Sequence, residues 1–319
     1  MELNISNENH PISIDFKEEY ENYNLNDYLS EKNQIKSRIL PDKQHEEGLI
    51  SDYSGRELYE IIQNADDAQA SVIEIELDYK QRLHIRNDGG KPFTNKGIIS
   101  VLRPNQSSKA KPINGGETIG NKGLGIRSLL NWSEGITIHS NGVKLEFSSL
   151  IANKQWEMIS SKVPSLKPLE KDRKCPLAIL SVPIVTEDEI TAQENNKGQW
   201  TTEIEIACNP SVLSDVKLKI RSLRAEILLF LNHIRKIILK IDGEETIELS
   251  RGEYYSAEYE GHNCKMVDLQ EAASTFHYVL CREEMEMPEN SDPHKSRFGE
   301  VAAAFPIDSE RKCEYLFSI

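Results

Sequence analysis

The sequence contains no apolar run that approaches the roughly 18–20 residues needed to span a bilayer. Its N-terminal stretch, Met1 to His10, is polar and acidic and has no signal-peptide core. The 5 cysteines among 319 residues are widely spaced, odd in number and show no paired metal spacing, which favours reduced thiols over disulfides. We therefore expect a cytoplasmic protein that has no membrane partner.

Positive charge is also scarce. The chain has 38 lysines and arginines against 52 acidic residues, a formal charge of −14. Sequence-independent binding to nucleic acid rests on cationic contacts, so this balance opposes direct nucleic-acid binding, although a local basic patch is not excluded. The length allows one large domain or two modest ones.

Residues 56–70 show the period of an amphipathic helix. The apolar stripe consists of Leu58, Ile61, Ile62, Ala65 and Ala68. The opposite side carries acids and an amide, namely Glu57, Glu60, Asn64 and Asp67. Ser54 and Glu57 have capping-box spacing and predict the helix start. Spacing alone leaves two interpretations open: a surface helix, or a face that coordinates a cation and orients a water.

Two strand-like alternations follow, at 72–79 and 83–86, and the second ends in Asn87-Asp88-Gly89-Gly90. An ionised Asp88 only accepts hydrogen bonds, which suits the amino group of adenine rather than the carbonyl of guanine. The glycines would allow a ring to approach the backbone closely. The alternative is an ordinary Asp-Gly turn.

Three glycines, Gly120, Gly123 and Gly125, precede an apolar run. Glycine-rich backbone that enters a helix N-terminus can bind phosphate through free N–H groups. The segment lacks the Gly-Lys-Ser/Thr ending of a Walker loop, and no strand feeds directly into it as in a Rossmann fingerprint. Alone, such a glycine cluster is more often a flexible loop than a phosphate site.

Residues 103–122 have no apolar period, and proline, glycine, serine and asparagine recur in them. Long loops inside compact domains are usually functional or disordered. We interpret this segment as a lid in which Lys109 and Lys111 either meet phosphate on closure or stay solvated.

Taken in order, these elements resemble the N-box and the two glycine boxes of the GHKL ATPases, the group of gyrase B, the large heat-shock chaperone, histidine kinases and mismatch-repair ATPases. The phrase Ile61-Ile-Gln-Asn-Ala-Asp-Asp-Ala68 is most similar to the sacsin-like branch. So are Asn87-Asp-Gly with Pro92-Phe93, Ser107-Ser-Lys109, and Val301-Ala-Ala-Ala-Phe-Pro-Ile307 with Leu316-Phe-Ser318.

The resemblance implies an α/β fold: a two-layer, Bergerat-type ATP-binding sandwich with a mixed, mostly antiparallel sheet and helices on one face, followed by a smaller α+β extension. The implied organisation is an N-terminal segment at 1–50, an ATP-binding domain at 51–190 with its lid at 103–122, and an extension at 200–319. The N-terminal segment would pack on the core or exchange between protomers.

The resemblance also implies roles for individual residues. Glu60 would be the general base, Asn64 the Mg²⁺ ligand, and Asp88 the reader of the adenine amino group, while Asp67 would orient the base or a water. The other implied nucleotide-binding residues are Gly90, Ser108, Lys109, Gly120, Lys122, Gly123, Leu124 and Gly125.

One departure from the group concerns a threonine that it usually places on a late strand near the adenine. The matching strand in this sequence is predicted at Leu177–Val182, which has no threonine, so nucleotide affinity is put in doubt. Other predicted elements are a hairpin at 135–149 around Asn141-Gly142, a strand at 202–206, a helix from Ser214 whose stripe runs to Ile234, and a hairpin at 239–249.

The resulting hypothesis is an Mg²⁺-dependent ATPase whose slow hydrolysis drives lid closure and a nucleotide-dependent homodimer. It would act like a chaperone on a client, or serve as the ATPase of an anti-phage defence system with a separate protein partner. The alternative is a nucleotide-sensing module that regulates a partner with little or no hydrolysis. A histidine protein kinase is placed below both, because no dimerisation helix with a phosphoacceptor histidine precedes the ATP-binding motifs.

Overall fold

The structure is a computed structural model that describes residues 9–20, 33–52, 54–103, 124–170, 174–189, 191, 200–259, 261–286, 298–306 and 315–318. The chain forms two compact units. The first consists of Met1–Ser222, Asn232–Ile234 and Leu239–Glu245, and the second of Leu223–Leu231, Arg235–Ile238 and Thr246–Ile319.

The described helices of the first unit lie before, between and after its strands. They are α1 (Phe16–Tyr20), α2 (Asn33–Asp52), α3 (Glu57–Asp67), α4 (Asn95–Leu102), α5 (Leu124–Ser128), α6 (Ser149–Lys162) and α7 (Leu213–Ser222). Short 3₁₀ helices cover Leu129–Asn131, Pro164–Leu169, Ile179–Ser181 and Pro210–Val212. Two α-helices begin at hydroxyl caps: Thr94 accepts the N–H of Gly97, and Ser148 that of Ile151.

The strands of the first unit form a sheet in the order β7-β1-β2-β6-β3-β4-β5. Their bounds are β1 (Val72–Leu77), β2 (Arg82–Asn87), β3 (Gly135–Ser140), β4 (Val143–Ser148), β5 (Ile184–Glu187), β6 (Thr202–Ala207) and β7 (Lys236–Ile241), the last of which gives residues to both units. β2 pairs antiparallel with both β1 and β6, and β6 pairs antiparallel with β3. The predicted α/β class with a mixed, mostly antiparallel sheet is confirmed.

Strand alternation separates the two faces of this sheet. Ile73, Ile75 and Leu77 of β1 are fully buried, and so are Leu83 and Ile85 of β2. The intervening residues are charged and bond across the strands: the Arg86 guanidinium donates to Glu74 and Glu76 of β1 and to Glu203 of β6. One face therefore carries the apolar core, and the other carries a network of ion pairs.

The second unit is mainly β. It contains a 3₁₀ helix at Ala225–Phe230, then β8 (Ile247–Arg251), β9 (Tyr255–Tyr259), β10 (His262–Glu271), β11 (Ser274–Glu286), β12 (Phe298–Pro306) and β13 (Tyr315–Ser318). The strand order is β13-β12-β11-β10-β8, and β9 also pairs with β10. The buried Arg251 guanidinium donates to the carbonyl oxygens of Leu228 and Leu231, which ties the 3₁₀ segment to β8.

Three local predictions are wrong. The start of α3 has Arg56 as its N-cap with no side-chain cap, because the buried Glu57 is paired with Lys219 at 2.9 Å and accepts the N–H of Gly55. The predicted strand at Leu177–Val182 is a 3₁₀ turn, since the Glu46 carboxylate accepts the N–H groups of Ile179 and Leu180.

The third concerns the helix predicted from Ser214. It ends at Ser222, because Arg224 adopts an extended backbone conformation, with φ of −125° and ψ of 157°, before the 3₁₀ helix at Ala225–Phe230.

The domain assignment 51–190 and 200–319 stays a prediction, and the compact units divide the chain elsewhere. β6 begins at Thr202, beyond the predicted boundary, and lies between β2 and β3 within the first unit. Among the helices in the described parts of the chain, none combines the length and apolarity required to cross a membrane.

Candidate functional site

A cavity of about 120 Å³ lies in the first unit between α3 and the apolar face of the sheet. This volume is about tenfold the roughly 10–15 Å³ that one water requires. Its apolar walls include Ile61, Ala65, Ile73, Ile85, Phe93 and Ile204. Its polar lining includes Asn64, Asp67, Asn87, Lys91 and Thr202. A mostly apolar concavity with a few polar groups is typical of a small-molecule site.

The amphipathic period of α3 determines which of its side chains reach the cavity. Leu58, Ile61, Ile62 and Ala65 are buried as predicted, whereas Ala68 is only half-buried. Asn64 and Asp67 line the cavity beside Ile61 and Ala65, and Glu60 lies one helical turn before Asn64. The predicted polar face is therefore present at these three positions, whereas Glu57 is buried in an ion pair with Lys219.

Glu60 is half-buried, and burial raises the pKa of its carboxyl group, an effect that the charge of Arg56 opposes. Enzymes raise the pKa of a catalytic Glu by the same means, because a general base works best when its pKa lies near the working pH. The raised pKa of Glu60 therefore suits proton abstraction from a bound water.

Gly125, the last glycine of the predicted phosphate segment, lies directly against Glu60 and Asn64. A Cβ at this position would come within 2.7 Å of the Glu60 Cβ and 3.3 Å of the Asn64 Nδ2. The start of α5 thus meets the polar face of α3 at the turn that carries these two side chains. The structure therefore brings three of the predicted site residues together, namely Glu60, Asn64 and Gly125.

Asp88 is placed differently from the prediction. Its carboxylate accepts the N–H and hydroxyl of Ser71 and the N–H of Val72, at 2.6–2.8 Å, and it is not among the residues lining the cavity. The preceding residue, Asn87, does line the cavity. The reason is strand alternation: Asn87 is the last residue of β2 and shares the face of Leu83 and Ile85, which turns Asp88 the other way.

A threonine from the sheet, Thr202, is among the residues that line the cavity. It begins β6 and pairs with Asn87 in the antiparallel register. Its Oγ1 lies 3.2 Å from the Ser140 Oγ, which also accepts the N–H of Phe93. The segment Leu177–Val182, where the sequence predicted the matching strand, contains a 3₁₀ helix at Ile179–Ser181 instead. The alternation of Thr202-Glu203-Ile204-Glu205-Ile206 was the available signal for β6.

Gly90 supports the site from outside the cavity. Its φ is +63°, and a Cβ there would lie 2.4 Å from the carbonyl oxygen of Ala68. The next N–H, that of Lys91, donates to the same oxygen at 2.6 Å. Gly90 thus allows the turn after β2 to close on the C-terminal end of α3.

Several predicted binding residues lie outside the described residues, namely Ser108, Lys109, Gly120, Lys122 and Gly123, together with positions 104–122 of the predicted lid. Leu124 is the first residue of α5. Their predicted roles stay predictions.

A second polar cluster, His84, Glu203 and Glu205, lies on the charged face of the sheet. The hydrogen bond with Glu203 raises the pKa of His84, and Arg86 and Arg82 bond to Glu203 and Glu205 respectively. These carboxylates are already neutralised by cationic side chains. Asn64, with Glu60 beside it, is therefore the better candidate for holding Mg²⁺ at the cavity.

A scan against protein-family models and a search of curated proteins found no match to this chain.

Proposed function

We propose that the first unit binds ATP with Mg²⁺ in the cavity beside α3 and hydrolyses it slowly, as a Bergerat-type site. The observation that carries the proposal is the close approach of Gly125 to Glu60 and Asn64, since Asn64 lines an apolar cavity and Glu60 lies one helical turn away. Glu60 would act on a water, Asn64 would provide an amide oxygen for a metal ion, and Gly125 allows the backbone at the start of α5 to approach both.

The cavity provides an apolar binding site for the adenine ring. Ile73, Ile85 and Ile204 of the sheet form one wall, and Ile61 and Ala65 of α3 form another. Asn87 and Thr202 supply polar groups from the sheet. The phosphates would then extend toward Glu60 and Gly125, where backbone N–H groups at the start of α5 favour an anion.

The chemistry assigned to this end is hydrolysis of the γ-phosphate. The Asn64 amide oxygen would hold Mg²⁺, and the ion would neutralise the charge of the phosphates. Glu60 would orient a water and accept its proton as the water oxygen bonds to the γ-phosphorus. The bond from that phosphorus to the β,γ-bridging oxygen breaks, and ADP and phosphate leave.

The test compares wild type with Glu60→Ala. We expect phosphate release to fall by about 10²–10⁴-fold, since this is the usual contribution of a positioned base. The affinity for ATP, measured by calorimetry, should be retained, because Glu60 is proposed to act on the attacking water and not to contact the adenine ring. Glu157→Ala is the matched control: this exposed glutamate is in the middle of α6, none of whose residues lines the cavity.

The outcomes separate three cases. Binding with turnover that depends on Glu60 supports the ATPase. Binding with equal, negligible phosphate release from both proteins supports the nucleotide-sensing alternative. Absence of ATP binding by the wild type contradicts both.

A further inference from the structure

We propose that the cavity accepts guanine as well as adenine nucleotides, because the sheet presents to the base an amide and a hydroxyl, those of Asn87 and Thr202, rather than a carboxylate. This inference rests on the proposed nucleotide-binding function and deepens it by naming the ligand class as purine nucleoside triphosphates.

The position of Asn87 is well defined by its neighbours. It is 8% exposed, and its backbone carbonyl oxygen accepts the N–H of Thr201 at 2.8 Å. Within the described part of the chain, its side-chain amide makes one hydrogen bond, a long one of 3.4 Å from Nδ2 to the carbonyl oxygen of Asp88. The amide therefore lines the cavity without a strong bond that would fix which of its ends faces the ligand.

The hydroxyl of Thr202 has the same dual character. It lies 3.2 Å from the hydroxyl of Ser140, and either oxygen can be the donor. When Ser140 donates, Thr202 is free to donate to a ligand; when Thr202 donates to Ser140, its oxygen accepts from a ligand.

The two purines present opposite groups at the same position. Adenine has an amino donor where guanine has a carbonyl acceptor. A carboxylate only accepts, so it would pair with adenine and leave the guanine carbonyl facing negative charge. An amide carries a donor and an acceptor, and rotation of its terminal torsion exchanges them. Either base thus finds a partner without leaving a buried polar group unpaired.

The nearest acid from the sheet does not change this conclusion. Asp88 is held by three donors of Ser71 and Val72 and would have to break them to reach the cavity. Asp67 of α3 is the acidic residue in the described lining. Asp67 therefore offers a competing explanation: if its carboxylate accepted the adenine amino group, the site would bind ATP much more tightly than GTP.

The experiment measures the affinities of the wild-type chain for ATP, GTP and ITP by calorimetry with Mg²⁺ present. We expect the three constants to agree within about tenfold, because no partner group is lost with any base. ITP carries the guanine-type carbonyl without the 2-amino group, so it isolates the position that Asn87 would read.

Asn87→Asp is the diagnostic variant, since it changes the amide to a carboxylate of nearly the same shape. It should weaken GTP and ITP by about 100-fold relative to ATP. Asp67→Asn tests the competing explanation: it should weaken both nucleotides alike and leave the ratio of ATP affinity to GTP affinity as in the wild type.

Preference of the wild type for ATP by more than about 100-fold would overturn the inference while leaving the proposed nucleotide binding intact. The same holds if Asp67→Asn, rather than Asn87→Asp, shifts the ratio. If no triphosphate binds, the proposed function itself fails. The wild-type comparison needs no variant, so it decides the matter even where Asn87→Asp does not fold.

Discussion

Gly125 lies so close to Glu60 that a methyl group on Gly125 would come within 2.7 Å of the Glu60 Cβ. Real Cβ atoms do not approach this closely, so α5 and α3 would have to separate. Gly125 therefore determines how closely the start of α5 approaches the face of α3 that carries Glu60 and Asn64.

The first prediction is that Gly125→Ala lowers the free energy of unfolding by about 1–3 kcal/mol, the usual cost of overpacking. Nucleotide affinity should fall by about tenfold or more, because a displacement of this size removes backbone contacts to phosphate. Denaturant titration and calorimetry measure the two effects.

Gly48→Ala is the matched control for this substitution. Gly48 lies in α2, and a Cβ there would meet nothing within 4 Å. Alanine in a helix should stabilise the protein by about 0.4–1 kcal/mol. Equal behaviour of the two alanine variants would show that the close approach at Gly125 has no energetic consequence.

The adjacent acids Asp66 and Asp67 are predicted to respond differently to substitution by asparagine. Asp66 is buried, and its carboxylate accepts the N–H groups of Asn232, His233 and Ile234 at 2.7–2.9 Å. Asp66→Asn should cost about 1.5–3 kcal/mol of stability, since an amide replaces a charged acceptor.

Asp67→Asn should instead change stability by less than about 1 kcal/mol and weaken nucleotide binding, because Asp67 lines the cavity and is only half-buried. Thermal melts with and without ATP distinguish the two variants. Loss of ligand response in the Asp66 variant alone would reverse this assignment.

The hydroxyl of Thr202 provides a third prediction. Thr202→Val keeps the shape of the side chain but removes its contact with Ser140, which should cost about 1 kcal/mol of stability. ATP and GTP should both bind several-fold more weakly, since the hydroxyl is proposed to serve either base. Thr137→Val on neighbouring β3 is the control, because Thr137 does not line the cavity. A selective loss of one nucleotide would contradict the dual role of this hydroxyl.

The fourth prediction concerns the pH dependence of stability through Asp188. Burial raises the pKa of Asp188, but hydrogen bonds from His139 and Thr191 outweigh it and bring the pKa to about 2. This value is below the roughly 3.9 expected in the unfolded chain. The ionised group therefore contributes about 2 kcal/mol above pH 4, and this contribution is lost as the pH falls toward 2.

Asp188→Asn should accordingly destabilise the protein by about 2 kcal/mol at pH 7, and the difference from wild type should shrink between pH 4 and pH 2. Urea titrations at pH 7, 5, 4 and 3 measure the trend. A difference that stays constant over this range would mean that the ionisation of Asp188 does not account for it.

Structure could be predicted from the sequence most reliably where a local pattern, such as helical periodicity or a turn dipeptide, determines it. The stripe of Leu58, Ile61 and Ile62 fixed the orientation of α3, and the turn at Asn141-Gly142 gave the β3–β4 hairpin, with φ of 49° and 76°. Both features depend on residues that are close in sequence.

Prediction from the sequence failed where a residue's bonding partner is far away along the chain. The residues near Leu177 give no sign that the Glu46 carboxylate accepts the N–H groups of Ile179 and Leu180 and so stabilises the turn there. Likewise, which of Asn87 and Asp88 faces the cavity depends on the exact end of β2 and on its pairing with Thr202. A one-residue difference in register exchanges an amide for a carboxylate.

The insertion of β6 between β2 and β3 has a consequence for biosynthesis. β6 residues bond to β2 partners about 120 positions earlier, as His84 and Glu203 do. Until the ribosome has released β6, two neighbouring strands expose unsatisfied edges, and the emerging chain is vulnerable to aggregation. Truncation after residue 190 would make that state permanent and would remove Thr202 and Ile204 from the cavity, so a shortened chain of this kind should not fold into the first unit.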